Sequence, residues 1–463
     1  MQGERLLSTQ NQSDGARSVH VHLSARSFAL RTLIAITLLM TFRTFQLFPY
    51  MEYVEEFWFV LCFFALAAMY PVWKIATGLR FLTFELFMIG LILVDVMLPA
   101  WTASREFGQP LVYGMLAQRG AVLIVVPILL VSAMRSRRVS VRDVESALVA
   151  CAWGTCLLFV AMMLFLNPAD FTSYGVGFAR YANGRAVFTV SLLNGAFLLF
   201  GILYYTLKGL RGRRVKYYIA AMIFFVVVFS ETNGRGAIIS LTITILYFLY
   251  RWRSFKQFLM TIVKFAGVGA LSLVLLYIVS PTFLSTRIAG FADAFVVAFT
   301  GSEVQDTSAT GKLFETMAAL PYIQDHPLLG NGVISRQWGG GTTAVLGITF
   351  YAGDIGILGM LFTVGLIGLL IFSFQFRFAV RATRMLPAST HRPLSDAATA
   401  FVLFCALDSL MTGIFVSDPW ITLTFIAILV GLSYMETTSH QESAESVLLI
   451  HPINRSTSAQ ATG

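Results

Sequence analysis

Eight residues combine type and spacing in a way that could do chemistry on a phosphorylated substrate: Arg180, Arg185, Glu231, Arg235, Arg287, Lys312, His326 and Arg336. Arginine presents a planar fork of N–H donors that matches two phosphate oxygens, and lysine adds a compact point charge. Several such groups converging on one cavity would hold a diphosphate without a metal. Glu231 and His326 are the members of the set that can accept a proton, so they are the candidate general bases. His326 precedes Pro327-Leu328-Leu329-Gly330, a context that a plain turn residue also explains. The chain has no Asp-x-Asp pair, Gly-x-Ser-x-Gly, Walker loop or zincin helix. Nothing in it therefore calls for a divalent metal, a nucleotide or another cofactor.

The elements that must position these residues are membrane helices. Of 463 residues, 57% are hydrophobic and only 12% charged, with 41 Phe. That balance excludes a disordered chain and an ordinary soluble enzyme. Apolar runs near spanning length occur at 28–48, 56–77, 81–100, 111–134, 145–166, 186–207, 215–230, 236–250, 257–280, 344–373, 398–416 and 419–436. A span needs roughly 20 apolar residues, so about twelve transmembrane helices are expected. The expectation is an all-α polytopic membrane protein with one large outward loop. Residues 1–27 and 437–463 read as polar tails, 28–280 as nine helices, 281–343 as the loop and 344–436 as three helices. Cys62, Cys151, Cys156 and Cys405 fall inside apolar runs and read as buried free thiols.

Charge orients the helices. The net charge of +9 looks at first like a nucleic-acid signal. Yet eighteen Lys and Arg sit in five loops, around 74–80, 135–142, 208–216, 251–256 and 377–392, with Asp143 and Asp396 as the clear acids. By the positive-inside rule these loops and both termini face the cytoplasm, and no nucleic acid is implied. The other loops are net acidic. Only Arg105, Arg180, Arg185, Arg235, Arg287, Lys312 and Arg336 stand against the bias there. The loop 281–343 holds helix-like stretches at 287–299 and 312–324, the second apolar at Leu313, Phe314, Met317 and Leu320, then a Gly-rich turn over 330–341. It is too apolar for a linker and is expected to lie on the membrane surface over a cavity. Asp95 and Arg119 are expected to pair inside the membrane, while Glu85, Lys264, Asp354 and Asp408 are further charges within apolar runs. Trp58, Trp73, Trp101, Trp252 and Trp420 are placed as an interfacial belt.

Four segments resemble the O-antigen ligase and Wzy-type polysaccharide polymerase superfamily, in its exopolysaccharide polymerase flavour. They are Ser230-Glu231-Thr232-Asn233-Gly234-Arg235-Gly236-Ala237, Arg180-Tyr181-Ala182-Asn183-Gly184-Arg185 with Asn194 beyond, Lys312 through His326-Pro327-Leu328-Leu329-Gly330-Asn331-Gly332, and Gly356-Ile357-Leu358-Gly359. The likeness covers roughly 170–370 by motif and the rest by topology. It implies a GT-C-like helical bundle in the bacterial inner membrane. It also implies a metal-independent glycosyltransferase that joins undecaprenyl-diphosphate-linked oligosaccharide repeat units at the periplasmic face. Arg180, Arg185, Arg235, Arg287, Lys312 and Arg336 would bind diphosphate and glycan, and a chain-length regulator and export machinery would be partners. Two departures stand out. Lys312 replaces a frequent Arg, and Val345-Leu346 stand where ligases tend to carry His-Asn. The second favours polymerase over attachment of polymer to a lipid A core. The rival readings are a twelve-helix transporter, a lipid-linked oligosaccharide flippase, and an inactive scaffold of an export complex. A Ser308→Cys variant tests the topology: a membrane-impermeant maleimide is expected to label intact cells at this position, and labelling only after lysis would invert the orientation.

Overall fold

The computed structural model describes residues 27–44, 52–170, 179–182, 185–188, 192–231, 235–252, 254–260, 307–386 and 393–450, with scattered helical positions between 262 and 300. Among them six helices are long and apolar enough to cross a bilayer. They are α2 (Tyr53–Thr77), α3 (Thr83–Phe107), α6 (Val141–Phe165), the continuous stretch Ala352–Met385, α14 (Pro393–Thr412) and, after the short α15 (Ile414–Ser417), the span Pro419–Glu436 of α16 (Pro419–Ile450). The pair α4 (Leu111–Ala117) and Arg119–Arg135, bent by 47°, makes a seventh. The regular helix of that second part is α5 (Val125–Arg135). Shorter apolar helices are α1 (Ser27–Thr41) and segments of α8 (Val215–Glu231) and α9 (Arg235–Trp252). This is a multi-pass helical membrane protein. The run 257–280 lies mostly outside the described residues.

Three boundaries differ from the sequence expectation. The run at 186–207 begins as an antiparallel hairpin, β1 (Ala179–Ala182) with β2 (Arg185–Phe188), and only then becomes α7 (Leu192–Gly212). This short ribbon is the one strand pair among the described residues of an otherwise helical chain. The run at 344–373 is not one helix. A short α11 (Gly341–Leu346) ends at Gly347, and α12 (Gly356–Ser373) starts only after a 3-10 turn, because Gly347 and Gly356 both turn the chain with positive φ. The expected polar tail from 437 instead continues α16 (Pro419–Ile450), since no Gly or Pro interrupts the chain between Gly431 and Pro452.

Local chemistry explains several helix ends. Ser140 caps α6: its hydroxyl accepts the Asp143 N–H at 3.2 Å, and the Asp143 carboxylate accepts back from Ser140. Arg31 of α1 closes on the same carboxylate at 2.8 Å. Lys74 and Glu85, both buried, pair at 2.7 Å and join the end of α2 to the start of α3. Glu85 also accepts the Leu82 N–H at 2.8 Å and the Ser132 hydroxyl of α5. That pairing accounts for one intramembrane charge.

α16 is the central post, packed on α5, α14 and α13 (Gln375–Met385). Phe425 stacks on Phe401 at 4.0 Å and reaches Phe200 of α7 at 5.4 Å and Phe42 at 6.3 Å, a ring spine through the bundle. All four cysteines are buried and unbridged, as expected. Two expectations fail. Arg119 binds Glu56 of α2 at 2.9 Å rather than Asp95, because the bend before α5 carries it toward solvent; Asp95 is buried near Asp418. Trp420 does not sit in a belt but is buried, its ring against Gly120.

The basic loops meet at one end. Arg135 donates to the Arg80 carbonyl at 2.5 Å, Arg211 pairs with Asp396 at 2.6 Å, and Arg138 lies over Trp73. At the other end, the loop is sewn into an interrupted helix. In α12, Gly365 has φ 63° and ψ −172°, so the N–H groups of Leu366 and Ile367 cannot reach the Phe362 and Thr363 carbonyls. The turn after α10 (Thr307–Asp325) replaces both bonds. Leu366 and Ile367 donate to the carbonyls of Pro327 and Leu328 at 2.9 and 3.0 Å. Phe362 and Thr363 accept from Asn331 and Gly332 at 2.6 and 3.1 Å. Val333 then donates to the Pro99 carbonyl of α3 at 3.3 Å, and Gln109 brackets the strand-like segment through the Val333 carbonyl and the Ser335 N–H.

Gly332 is the tightest point of this stitch. Its φ is +85°, and a Cβ there would stand 2.2 Å from the Pro99 oxygen. Gly332→Ala is expected to lower the melting temperature in detergent by several degrees more than Gly339→Ala, where φ is +57° but space is open. The latter meets only the left-handed penalty of about 1–2 kcal/mol. Equal shifts would mean that the stitch contributes nothing.

Candidate functional site

α10 stands on the stitched end and carries the site. The apolar residues read from its sequence do not form its buried face. Phe314, Met317 and Leu320 are exposed, while Glu315, Ala319 and Ile323, four residues apart, are buried. Ala319 and Ile323 pack with Phe350, Ile355 and Phe362 in a small core separate from that of the bundle. The same helical repeat draws the Glu315 carboxylate inward. Its Oε1 accepts the Tyr351 N–H at 3.3 Å. Its Oε2 is buried with no partner among the described residues. An unpaired buried carboxylate oxygen costs stability and is the kind of feature that active sites retain.

Burial pushes the Glu315 carboxyl up to about 7, and the nearby Asp354 adds to the rise. The Tyr351 N–H and the Lys312 ammonium oppose it. A carboxyl tuned to that range can both take and give a proton at neutral pH. Lys312, one turn back, is exposed. Its charge also reaches Asp408 of α14. Asp408 is fully buried, accepts the Thr412 hydroxyl at 2.6 Å through Oδ2, and leaves Oδ1 without a partner among the described residues.

Tyr351 links these groups to the Gly-rich turn. The Arg336 guanidinium lies 4.9 Å from the centre of its ring. Beside them opens a cavity of about 320 Å³ lined by Gly332, Arg336, Thr342, Thr343, Thr349 and Tyr351, among others. Two helix starts approach the same region. Gly356 lies against the Leu410 carbonyl, and a Cβ on Gly236 would stand 2.8 Å from the Met411 sulfur. The backbone at Arg235, which opens α9, is therefore close to the Asp408 turn of α14.

The structure thus separates the residues chosen from sequence. Lys312, Arg336 and the start of α9 at Arg235 gather around Tyr351 and Asp408. His326 does not join them: fourteen residues along α10 is roughly 21 Å at 1.5 Å per residue. Its Nε2 pairs with Glu106 at 2.7 Å, and Glu106 also meets Arg105 at 3.3 Å, so His326 ties the turn to the end of α3. Arg180 and Arg185 lie in the hairpin, where Arg180 pairs with Val187 and Arg185 with Ala182. Glu231 is the last residue of α8. At Arg180, Arg185, Glu231 and Arg235 only the backbone is described, and Arg287 lies outside the described residues. Among the described residues no cluster of His, Cys, Asp and Glu could hold a metal ion. The chain matches no protein-family model and no curated protein sequence.

Glu315 also sets a pH dependence. Unfolded, its carboxyl titrates near the ordinary 4.5; folded, near 7. Between these values the folded protein holds a proton that the unfolded chain has lost, so stability falls as pH rises through that window. Glu315→Gln is expected to flatten the melting temperature between about pH 4.5 and 7 and to raise it at pH 7.5 or above. An unchanged profile in the variant would remove Glu315 from this role.

Proposed function

We propose that the chain is a metal-independent membrane glycosyltransferase of the polysaccharide polymerase type, joining polyprenyl-diphosphate-linked oligosaccharides at the periplasmic face of the inner membrane. The observation that carries this reading is the half-partnered, buried Glu315 carboxyl next to Lys312, with Arg336 across Tyr351 at the edge of a cavity. A glycosyl diphosphate already has a good leaving group. The protein must place two substrates, remove a proton from one and steady the charge leaving the other.

In this mechanism Lys312, Arg336 and the N-terminal end of α9 at Arg235 hold the diphosphate, the helix end adding its N–H groups. Arg180, Arg185 and Arg287 remain further contacts for diphosphate or glycan. Glu315 Oε2 takes the proton of the acceptor hydroxyl. The acceptor oxygen forms a bond to C1 of the donor sugar as the bond from C1 to the diphosphate oxygen breaks. The polyprenyl diphosphate leaves with the electron pair, opposed by the cationic groups. Glu315 takes the part first given to Glu231 and His326. Leu346, at one of the two positions where ligases tend to carry His-Asn, closes α11 with an apolar side chain, which supports polymerisation over ligation to a lipid A core.

The test is purified protein in nanodiscs supplied with polyprenyl-diphosphate-linked repeat units. A ladder of longer lipid-linked glycans is expected. Arg235→Ala is expected to abolish it while the protein stays folded in the membrane, and Glu315→Gln to slow it by about 10²–10⁴. Ladders at wild-type rate from both variants would overturn the residue assignment. Movement of the substrate between leaflets without elongation would replace the polymerase with a flippase.

A further inference from the structure

The opposite end of the molecule carries a cationic surface that glycosyl transfer does not use. The helical stretch Ala352–Met385 has 34 residues, about 51 Å, against roughly 30 Å of hydrocarbon. Its last part, α13, therefore stands at headgroup level. Gln375, Ala379 and Ala382 bury one side of α13. Phe378 packs on Phe84 and Phe87 at 5.0 and 5.2 Å, which fixes the helix rotation at the end where Arg80 and Arg135 meet.

On the opposite side stand Arg377, Arg381 and Arg384, at i, i+4 and i+7. All three are exposed. They form one stripe about 10 Å long. None makes an ion pair among the described residues. Arg377 only lies over Phe374, at 5.2 Å. The acids on neighbouring elements are engaged elsewhere, Glu85 by Lys74 and Asp396 by Arg211. Exposed apolar side chains flank the stripe: Phe374 at 43%, Met385 at 45% and Val380 at 48%. A shallow groove of about 610 Å³ runs along the three arginines between Phe376 and Met385.

We propose that this groove is a binding site for the headgroup of an anionic phospholipid, with the acyl chains lying along the flanking apolar residues. Charge complementarity argues for the occupant. Three unpaired guanidiniums at headgroup depth, each a two-pronged donor, match phosphodiester oxygens. The apolar flanks match chains rather than a soluble anion, and the 10 Å stripe is long enough to meet two phosphates at once. A lipid with two phosphates is therefore the tightest ligand of the class.

Native mass spectrometry of the full chain, released from nanodiscs holding tetraoleoyl cardiolipin, dioleoyl phosphatidylglycerol or dioleoyl phosphatidylcholine, tests this. Retention is expected in the order cardiolipin, phosphatidylglycerol, phosphatidylcholine. In Arg377→Gln/Arg381→Gln/Arg384→Gln, cardiolipin retention is expected to drop at least tenfold with an unchanged melting temperature. The matching triple Lys variant is expected to recover part of it, keeping charge without the fork. Because the wild type alone is also informative, its cardiolipin retention is measured against salt and should weaken as salt rises. Equal retention of phosphatidylcholine, salt-independent retention, or undiminished retention in a folded triple Gln variant overturns the proposal. So does equal competition by free glycerophosphate, which would make the site one for a soluble anion. The readout needs no glycosyl transfer, so it stands apart from the proposed activity.

Discussion

A helix that breaks inside a membrane must find new partners for its backbone, because hydrocarbon offers none. In this protein the break at Gly365 frees two carbonyls and two N–H groups, and the turn from Pro327 to Gly332 supplies all four counterparts. The rest of that end of the bundle depends on that exchange. It fixes the C-terminal end of α10 between α3 and α12, and so decides which side of α10 faces the small core of Phe350, Ile355 and Phe362. Glu315 is buried because that side is its side. The Pro-Leu-Leu-Gly-Asn-Gly motif, which also carries the family likeness, has a local physical reason: the carbonyls of Pro327 and Leu328 and the N–H groups of Gly330, Asn331 and Gly332 each have a specific partner.

The two ends of the bundle treat charge in opposite ways. At the basic end, one buried pair is fully satisfied: Lys74, Glu85, the Leu82 N–H and the Ser132 hydroxyl close on one another. At the other end, Glu315 Oε2 and Asp408 Oδ1 are buried and left open. Stability alone would favour the first arrangement throughout. A place where local rules are broken while the surrounding packing is intact is where a chain carries function.

The sequence made the ends legible and the site only partly so. Arg80, Arg135, Arg138 and Arg211 were grouped from loop charge alone, and the structure brings their loops together, because a bilayer sorts loops by charge before any packing occurs. In the sequence Glu315 is one acid among many. Its environment is made by Tyr351, thirty-six residues on, which no local pattern announces. A spacing signal did exist: Glu315, Ala319 and Ile323 repeat at four residues, but Phe314, Met317 and Leu320 gave the louder apolar stripe and that one faces outward. His326 showed the converse. Its residue type invited catalysis, yet its nearest partner, Glu106, makes it a fastening.

The rigid fastening at one end of α10 and the open carboxyl toward the other turn this helix into a ruler. Each residue of a helix rotates the next by about 100°. One residue inserted between Glu315 and Pro327 would keep every bond of the stitch and still swing the carboxyl out of its core toward the exposed side. Extra residues before Thr307 would leave its bearing untouched. Length variation in related chains should therefore collect on the N-terminal side of α10 and be excluded from the eleven positions between the carboxyl and the turn.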